Sequence, residues 1–415
     1  MSRHIVIIGG GIIGLCTAYY AAKRGHRVTV IERLQRERDG CSFGNAGLVV
    51  PSHIIPLAAP GVVALALRWM WNPESPLYIK PRLDWDLISW GWKFLRASTR
   101  AHVRRAAPLI RDLSFASRAC FEELADSFDF GLVKRGLVTL CKTQHALDEE
   151  AKTAAFANQL GVPAEVLDAK GVAALEPGVR MDVAGGVYFP KDCHLSPGRL
   201  MATLQRKLES AGVEFRFESA VTGWRTNGRR VEAVKTDAGD FAADEFVLCG
   251  GAWSPTIARD LLVRLPMQAG KGYSLTLAHP RQLPEICAIF SEARIAVTPM
   301  DGTLRFGGTM EIAGLTEGCN TRRVQGIIKA VPRYFLDFTG EDFAGIQPWS
   351  GLRPCSPDGL PYVGRFAAYD NLSTATGHAM MGLSLGPVTG RLMAEVLSGE
   401  PPSLDIALLS PDRFA

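Results

Sequence analysis

A chain of 415 residues exceeds what one hydrophobic core usually organises, so two domains are expected, and 47% hydrophobic residues can fill both cores. Its 46 basic and 42 acidic side chains leave a formal charge of only +4, with no long Lys or Arg run, so nucleic acid is not the expected partner. Nine cysteines stand singly with no Cys-x-x-Cys pair, a pattern of reduced thiols rather than of a disulfide framework or a structural metal.

The amino terminus runs straight into a strand pattern, "HIVII" at 4–8, leaving no room for the regions of a signal peptide, and a cytoplasmic location is expected. Next come "GIIGLCTAYYAAKRGH", apolar at helical spacing and stopped at Gly25, and a second strand, "RVTVIE", ending at Glu32. This is a βαβ unit. Gly9, Gly11 and Gly14 form G-x-G-x-x-G at its first turn, around Ile12 and Ile13, and Glu32 follows Gly14 by 18 residues. Gly9 supplies the tight turn, Gly11 a close approach to a pyrophosphate and Gly14 close helix–strand packing, with helix amides facing the phosphates. Glu32 is expected on the ribose hydroxyls. The loop alone does not choose between NAD and FAD.

Residues 51–189 read as mostly helical, for example "APLIRDLSFASRACFEELADSF". The most apolar stretch, 54–71, is broken by Pro56, Pro60, Gly61 and Arg68 and is no membrane span. Trp69, Trp71, Trp85, Trp90 and Trp92 cluster there with Arg68, Lys80, Arg82, Lys93 and Arg96. An ordinary buried helix with a tryptophan-rich flank is the expectation; peripheral contact with the inner face of a membrane is the alternative. Further on, 211–251 alternates as a β-meander with turns at Asn227-Gly228 and Ala238-Gly239, then returns to an apolar strand, "EFVLCGG". Residues 256–344 mix strands ("GYSLTLA", "IAVTPM", "LRFGGTM") with a helix near "RRVQGIIKAV", and "LGPVTGRLMAEVLSG" is a last helix after a Gly-rich turn. The simplest architecture is interleaved. Residues 1–50, 190–255 and 345–415 form a nucleotide domain, and 51–189 with 256–344 form an inserted domain.

The glycine fingerprint, "CSFGNAGLVVPS" at 41–52, "VLCGGAWS" at 247–254, "KGYSLTL" at 271–277, "GLRPCSPDGLPYVGR" at 351–365 and "TGHAMMGLSLGPVTG" at 376–390 together resemble the D-amino acid oxidase superfamily. Within it the likeness is greatest to bacterial FAD-dependent D-amino acid dehydrogenases, and it covers nearly the whole chain. The resemblance implies an α/β plus α+β fold: a Rossmann-like FAD-binding domain with an inserted mixed-sheet and helical substrate domain. It also implies that Gly9 to Gly14 and Glu32 hold the ADP half of FAD, with Arg33 beside the adenine. Ser42, Asn45, Ala46, Gly47 and Leu48 would run along the pyrophosphate and flavin; Val221 would meet the adenine; Gly250, Gly251 and Trp253 would close over the ADP. Gly377, His378, Met380, Met381, Gly382 and Leu383 would line the flavin ring, where a helix dipole can oppose charge developing on it. In related sarcosine oxidases a cysteine anchors the flavin where this chain has Gly351, so noncovalent FAD is expected.

In amine-oxidising members the arginine of "GLRP", here Arg353, grips the substrate carboxylate with both prongs, a contact that suits a planar guanidinium and not a lysine. Tyr273 and His53 are further candidates for substrate contact. The reaction implied is hydride transfer from Cα of a D-amino acid or cyclic imino acid, with electrons passed to a quinone or another carrier. The segment "HIIPLAAPG" differs from what a general D-alanine enzyme would carry, and cis-4-hydroxy-D-proline or D-proline is a candidate substrate. An oxygen-using glycine- or sarcosine-type amine oxidase and a non-catalytic flavin subunit of a larger complex are the alternatives.

Overall fold

The computed structural model describes residues 2–69 and 74–415, so Trp71, one of the expected tryptophan cluster, lies outside the described residues. Around the first strand, His4–Ile8, a six-stranded sheet runs in the order Tyr362–Arg365, Leu372–Thr376, Glu245–Leu248, His4–Ile8, Arg27–Ile31, Glu214–Arg216. Every neighbouring pair is parallel except the first. Ile5, Val6, Ile7, Val28 and Val30 are fully buried or nearly so, as unbroken β-branched runs covered on both faces should be.

Helix Ile12–Lys23 packs along the last helix, Gly386–Ser398. Any Cβ on Gly390 would overlap the backbone of Cys16, and one on Gly386 would crowd Ile12. These glycines let the two helices touch backbone to backbone. Both helices follow parallel strands of the same sheet, His4–Ile8 and Leu372–Thr376, so their N-termini open on one edge, the carboxyl edge where ligands of open α/β sheets bind. The 26-residue helix Arg100–Ala125 adds Ile110, Leu113 and Phe121 to this same core. The meander is present as three antiparallel strands, Val221–Asn227, Arg230–Thr236 and Gly239–Ala242.

The second sheet runs Trp349–Cys355, Gln268–Leu277, Thr303–Ile312, Ile295–Met300, Cys287–Phe290, Leu137–Cys141, Gly185–Phe189, Glu165–Asp168, and Leu77–Ile79 pairs with Thr303–Ile312. Helix Thr321–Tyr334 covers one face of it, packing Val324, Ile327 and Val331 on Tyr273, Phe290 and Phe306. The strand carrying Arg353 is the edge of this second sheet, paired with Gln268–Leu277, although it lies within the segment 345–415 assigned above to the nucleotide domain.

Candidate active site

The fingerprint turn is held by contacts that only glycine permits. Gly9 has φ +112, and a Cβ there would overlap the carbonyl of Cys249, while a Cβ on Gly14 would overlap that of Gly9. The N-cap, Gly11, makes no side-chain cap and the first helical turn carries no acidic residue. Beyond the Ile12 amide, which donates to Ser42 Oγ, the first-turn amides and the positive end of the helix dipole are open to an anionic group. Glu32 accepts from Gly10 N at 2.8 Å and from Leu34 N at 3.0 Å, which fixes its carboxylate while each oxygen keeps a second lone pair for a ribose hydroxyl. Arg33 stacks on Trp253, its Cζ 3.9 Å from the ring centroid, next to Gly251 at φ +56 and Gly250. Val221 begins the first meander strand, opposite Thr236. Glu32 with the fingerprint turn, and Arg33 with Trp253, thus stand together, while Val221 is placed only by its strand pairing.

The loop at 42–48 is tied to that helix and to the second sheet. Ser42 Oγ accepts from Ile12 N at 3.0 Å, beside Ile13, and Asn45 Oδ1 accepts from Gly47 N at 2.8 Å. Gly47 has φ +77, Leu48 pairs with His194, and Ala46 lies 3.6 Å from the position of a Cβ on Gly307. Two arginines that the sequence did not single out hold the loop in place. Arg305 donates to the carbonyls of Asn45 at 2.7 Å and Phe43 at 3.2 Å. Arg38, buried between Phe43 and Phe217, donates to Gly10 O at 2.7 Å. Their neighbours in sequence form an ordinary charged stretch and a strand, which give no signal of this role.

The Gly-rich turn closes the opposite rim. Gly377 has φ +80, and His378 Nε2 lies 3.0 Å from Thr389 Oγ1. Burial pushes the His378 imidazole down to about 3, so it is neutral and shapes the turn. Met381, Gly382 and the buried Leu383 follow, and Met380 projects to solvent. Val50 N donates to Ser384 Oγ at 3.1 Å, tying the 42–52 loop to this turn. A glycine-lined approach, a helix N-terminus capped only by Ser42 among the described residues and two facing loops fit a dinucleotide flavin. The residues that would hold FAD are those named above. Among the described residues no group of His, Cys, Asp or Glu is placed to hold a metal.

Arg353 extends from the edge strand across its neighbour. Its Nη1 donates to Thr309 O at 2.6 Å, and a Cβ on Gly272 would overlap its guanidinium. Thr309 sits at φ +63 beside the register shift that separates Lys271 and Tyr273, a bulge that turns its carbonyl to the arginine. Among the described residues no carboxylate pairs with Arg353, which is half-buried. On the same face, Trp349 lies flat against Gly44 and Gly351, where a Cβ on either would overlap the indole, and its Nε1 donates to Asp39 at 2.7 Å.

His53 stands at the flavin-turn side, in a depression shared with Ile55, Leu57, His378 and Met381. Its Nδ1 is 3.2 Å from Ser52 Oγ, which in turn donates to the buried Asp192 at 2.5 Å. Ser52 N also donates to Asp192, at 3.0 Å. Burial lowers His53 to about 4 and raises Asp192 to about 7. A hydroxyl that donates to Asp192 can accept from His53 Nδ1–H, a network that leaves Nε2 as the imidazole's acceptor.

Tyr273 is placed differently from its expected role as a second substrate contact. Gly270 pairs with Arg353 and Tyr273 with Ser350, so the strand alternation turns Arg353 and Tyr273 to opposite faces. Tyr273 is buried under helix Thr321–Tyr334 and donates to Glu311 at 2.5 Å.

Residues 4–396 match the family model described as DAO, FAD dependent oxidoreductase. A D-amino acid dehydrogenase of Granulibacter bethesdensis is 33% identical over 99% of both chains, and one of Methylobacterium radiotolerans is 35% identical over 99% of this chain and all of its own. Among solved structures, glycine oxidase from Geobacillus kaustophilus superimposes with a TM-score of 0.80 at 24% identity, covering 100% of this chain and 99% of its own. An L-alpha-glycerophosphate oxidase from Mycoplasma pneumoniae with FAD bound reaches 0.71 at 16% identity, covering 96% and 95%. The glycine-built cofactor rim, the two-sheet architecture and these full-length likenesses agree: the chain belongs to the DAO family of FAD-dependent oxidoreductases.

Proposed function

We propose that this enzyme is a dehydrogenase of D-amino acids that passes their electrons to a quinone or another carrier. The observation that carries the reading is Arg353: a half-buried guanidinium with, among the described residues, one backbone partner and no carboxylate, lying over Gly272. A substrate carboxylate satisfies its remaining donors bidentately, and the full-length relatives are named for D-amino acids.

FAD, when bound, supplies the hydride acceptor at N5. Arg353 fixes the carboxylate and with it the direction of the Cα hydrogen. Oxidation of Cα would also release a proton from the amine nitrogen; His53, which burial holds neutral and lowers to about 4, would serve as an uncharged wall of the site and not as the base. The product imine takes up water to give a 2-oxo acid and ammonia, or remains a pyrroline when the amine is cyclic. The candidate substrate within this class is cis-4-hydroxy-D-proline or D-proline. The cofactor is proposed to be noncovalent: Gly351 offers no nucleophile and is covered by Trp349, and burial pushes the Cys355 thiol up to about 12. Action at the cytoplasmic side, with peripheral contact at the inner membrane face, completes the proposal.

Anaerobic mixing of the FAD-loaded enzyme with a panel of D-amino acids, D-prolines, glycine and sarcosine tests it. Flavin bleaching by D-amino or D-imino acids, followed by faster reoxidation with a quinone than with air, is expected. Bleaching by glycine or sarcosine alone, with rapid peroxide formation in air, would replace the reading by an amine oxidase. No bleaching by any of them would remove it.

A further inference from the structure

Helix Trp85–Ala97 has two apolar faces, and the core uses only one. Asp84 caps it, accepting from Asp86 N at 3.0 Å. Trp90 and Phe94, four residues apart, stack with centroids 5.0 Å apart and turn inward onto Ala58, Met310 and Cys355. Trp90 Nε1 donates to Cys355 O at 2.9 Å, which anchors the helix next to the Arg353 strand. On the opposite side Trp85, Ile88, Trp92 and Leu95 recur at helical spacing and are 78%, 50%, 60% and 50% exposed, with Leu83 fully exposed just ahead. Since the inward face already satisfies the core, folding does not account for five large apolar side chains in water.

The flank of this stripe is basic. Arg96 lies at its C-terminal end and Lys93 along one side, with Lys80 and Arg100 exposed beyond the two ends of the helix. The acidic groups nearby are the cap, Asp84, which also pairs with Arg82 at 3.3 Å, and Asp86. Tryptophans between an apolar stripe and a basic flank match the boundary of an anionic bilayer, where indoles lie at headgroup level and cations meet the lipid phosphates. A protein partner would require shaped pockets and acceptors for its own hydrogen bonds; this stripe presents Trp, Ile and Leu side chains along one exposed helix face. Among the described residues no helix is long and apolar enough to cross a membrane, which leaves attachment in the plane of the surface.

We propose that Leu83 to Arg96 docks the enzyme on an anionic lipid surface, with Trp85, Ile88, Trp92 and Leu95 immersed and Lys93 and Arg96 on the phosphates. This rests on the dehydrogenase reading above, because a lipid-dissolved electron carrier gives the docking its use. The helix is tied to the Arg353 strand through Trp90, so a surface-bound enzyme brings its site close to that carrier.

The test uses the full-length FAD-loaded protein with vesicles of phosphatidylcholine alone and of phosphatidylcholine with phosphatidylglycerol. Expected is co-sedimentation with the anionic vesicles, weakened by high salt, and at least a tenfold loss of binding in the Trp85→Ser/Trp92→Ser variant. Lys93→Glu/Arg96→Glu should remove the salt-dependent part. Dye-linked turnover in solution should stay within twofold for both variants, which shows that they fold. Wild-type protein that remains in the supernatant with both vesicles would overturn the proposal. So would equal binding by the variants, or a wild-type dimer in lipid-free solution that Trp85→Ser/Trp92→Ser dissociates. Failure of the dehydrogenase reading is distinguishable, since it abolishes dye-linked turnover with or without vesicles, whereas failure of docking leaves turnover intact.

Discussion

The guanidinium of Arg353 lies over Gly272, in the space that a Cβ at that position would occupy. Gly272 belongs to a strand paired on both sides, with Trp349–Cys355 and with Thr303–Ile312, so its backbone cannot yield to an added methyl. Gly272→Ala should therefore displace the arginine rather than the strand. The expected result is a rise of at least tenfold in KM for the amino acid with FAD content unchanged, read from dye-linked kinetics and the flavin spectrum. A KM within twofold of wild type would show that the glycine does not set the arginine's position.

Arg353→Lys keeps the charge and loses the fork. A point charge cannot engage both carboxylate oxygens in one plane, and losing a charge-assisted contact costs roughly 1.5–3 kcal/mol. The catalytic efficiency should fall by about tenfold or more. Retention of wild-type efficiency would remove the arginine from substrate binding.

The cofactor rim was legible because its chemistry is local: a strand, three glycines, a helix and an acid follow one another within the first 32 residues. Arg353 stands out as a candidate through its motif. What surrounds it does not. That Gly272 makes room for it, that Thr309 turns its carbonyl toward it, and that Tyr273 points away depend on register between strands whose paired residues lie 27 to 42 and 75 to 87 positions apart in sequence, which no local pattern specifies. The same holds for Arg305 and for Asp192, whose partners lie 260 and 140 residues away. The tryptophan-rich segment suggests a buried helix with a tryptophan-rich flank or a membrane contact; the helix turns Trp90 inward and Trp85 and Trp92 outward, a split that composition does not specify.

Tyr273→Phe separates a structural from a substrate role. Burial, reinforced by Glu311, holds the Tyr273 hydroxyl protonated, and Glu311, itself buried, is its acceptor. Removing the hydroxyl leaves that carboxylate short of a donor, at a cost of about 1–3 kcal/mol. The denaturation midpoint should fall while KM for the amino acid stays within twofold. An unchanged midpoint with a raised KM would return Tyr273 to the substrate site.

Ser42→Ala tests the link between the flavin loop and the fingerprint helix. The Ile12 amide loses its side-chain acceptor, and loss of such a capping contact costs about 0.5–2 kcal/mol. Because the loop and the helix start would close on the same dinucleotide, that cost should appear as weaker FAD binding, roughly two- to thirtyfold by fluorescence titration. Unaltered FAD affinity would place Ser42 outside the cofactor contact.

Asp192 should leave a signature in the pH dependence of stability. Burial raises its carboxyl to about 7, while hydrogen bonds from Ser52 and the nearby Arg118 pull the other way without prevailing. The folded protein therefore binds a proton there that the unfolded chain, titrating near about 4, has already released. Its stabilising contribution is complete below about pH 4 and is lost as the pH rises through about 7. Glu176 is raised to about 7 in the same way, so the wild type should lose stability across this window for two reasons. Asp192→Asn keeps an acceptor for Ser52 N and removes the titration. Its urea midpoint should consequently fall less between about pH 5 and pH 8 than that of the wild type. Coincident pH profiles would mean that Asp192 stays ionised in the folded protein, with Ser52 and Arg118 outweighing burial.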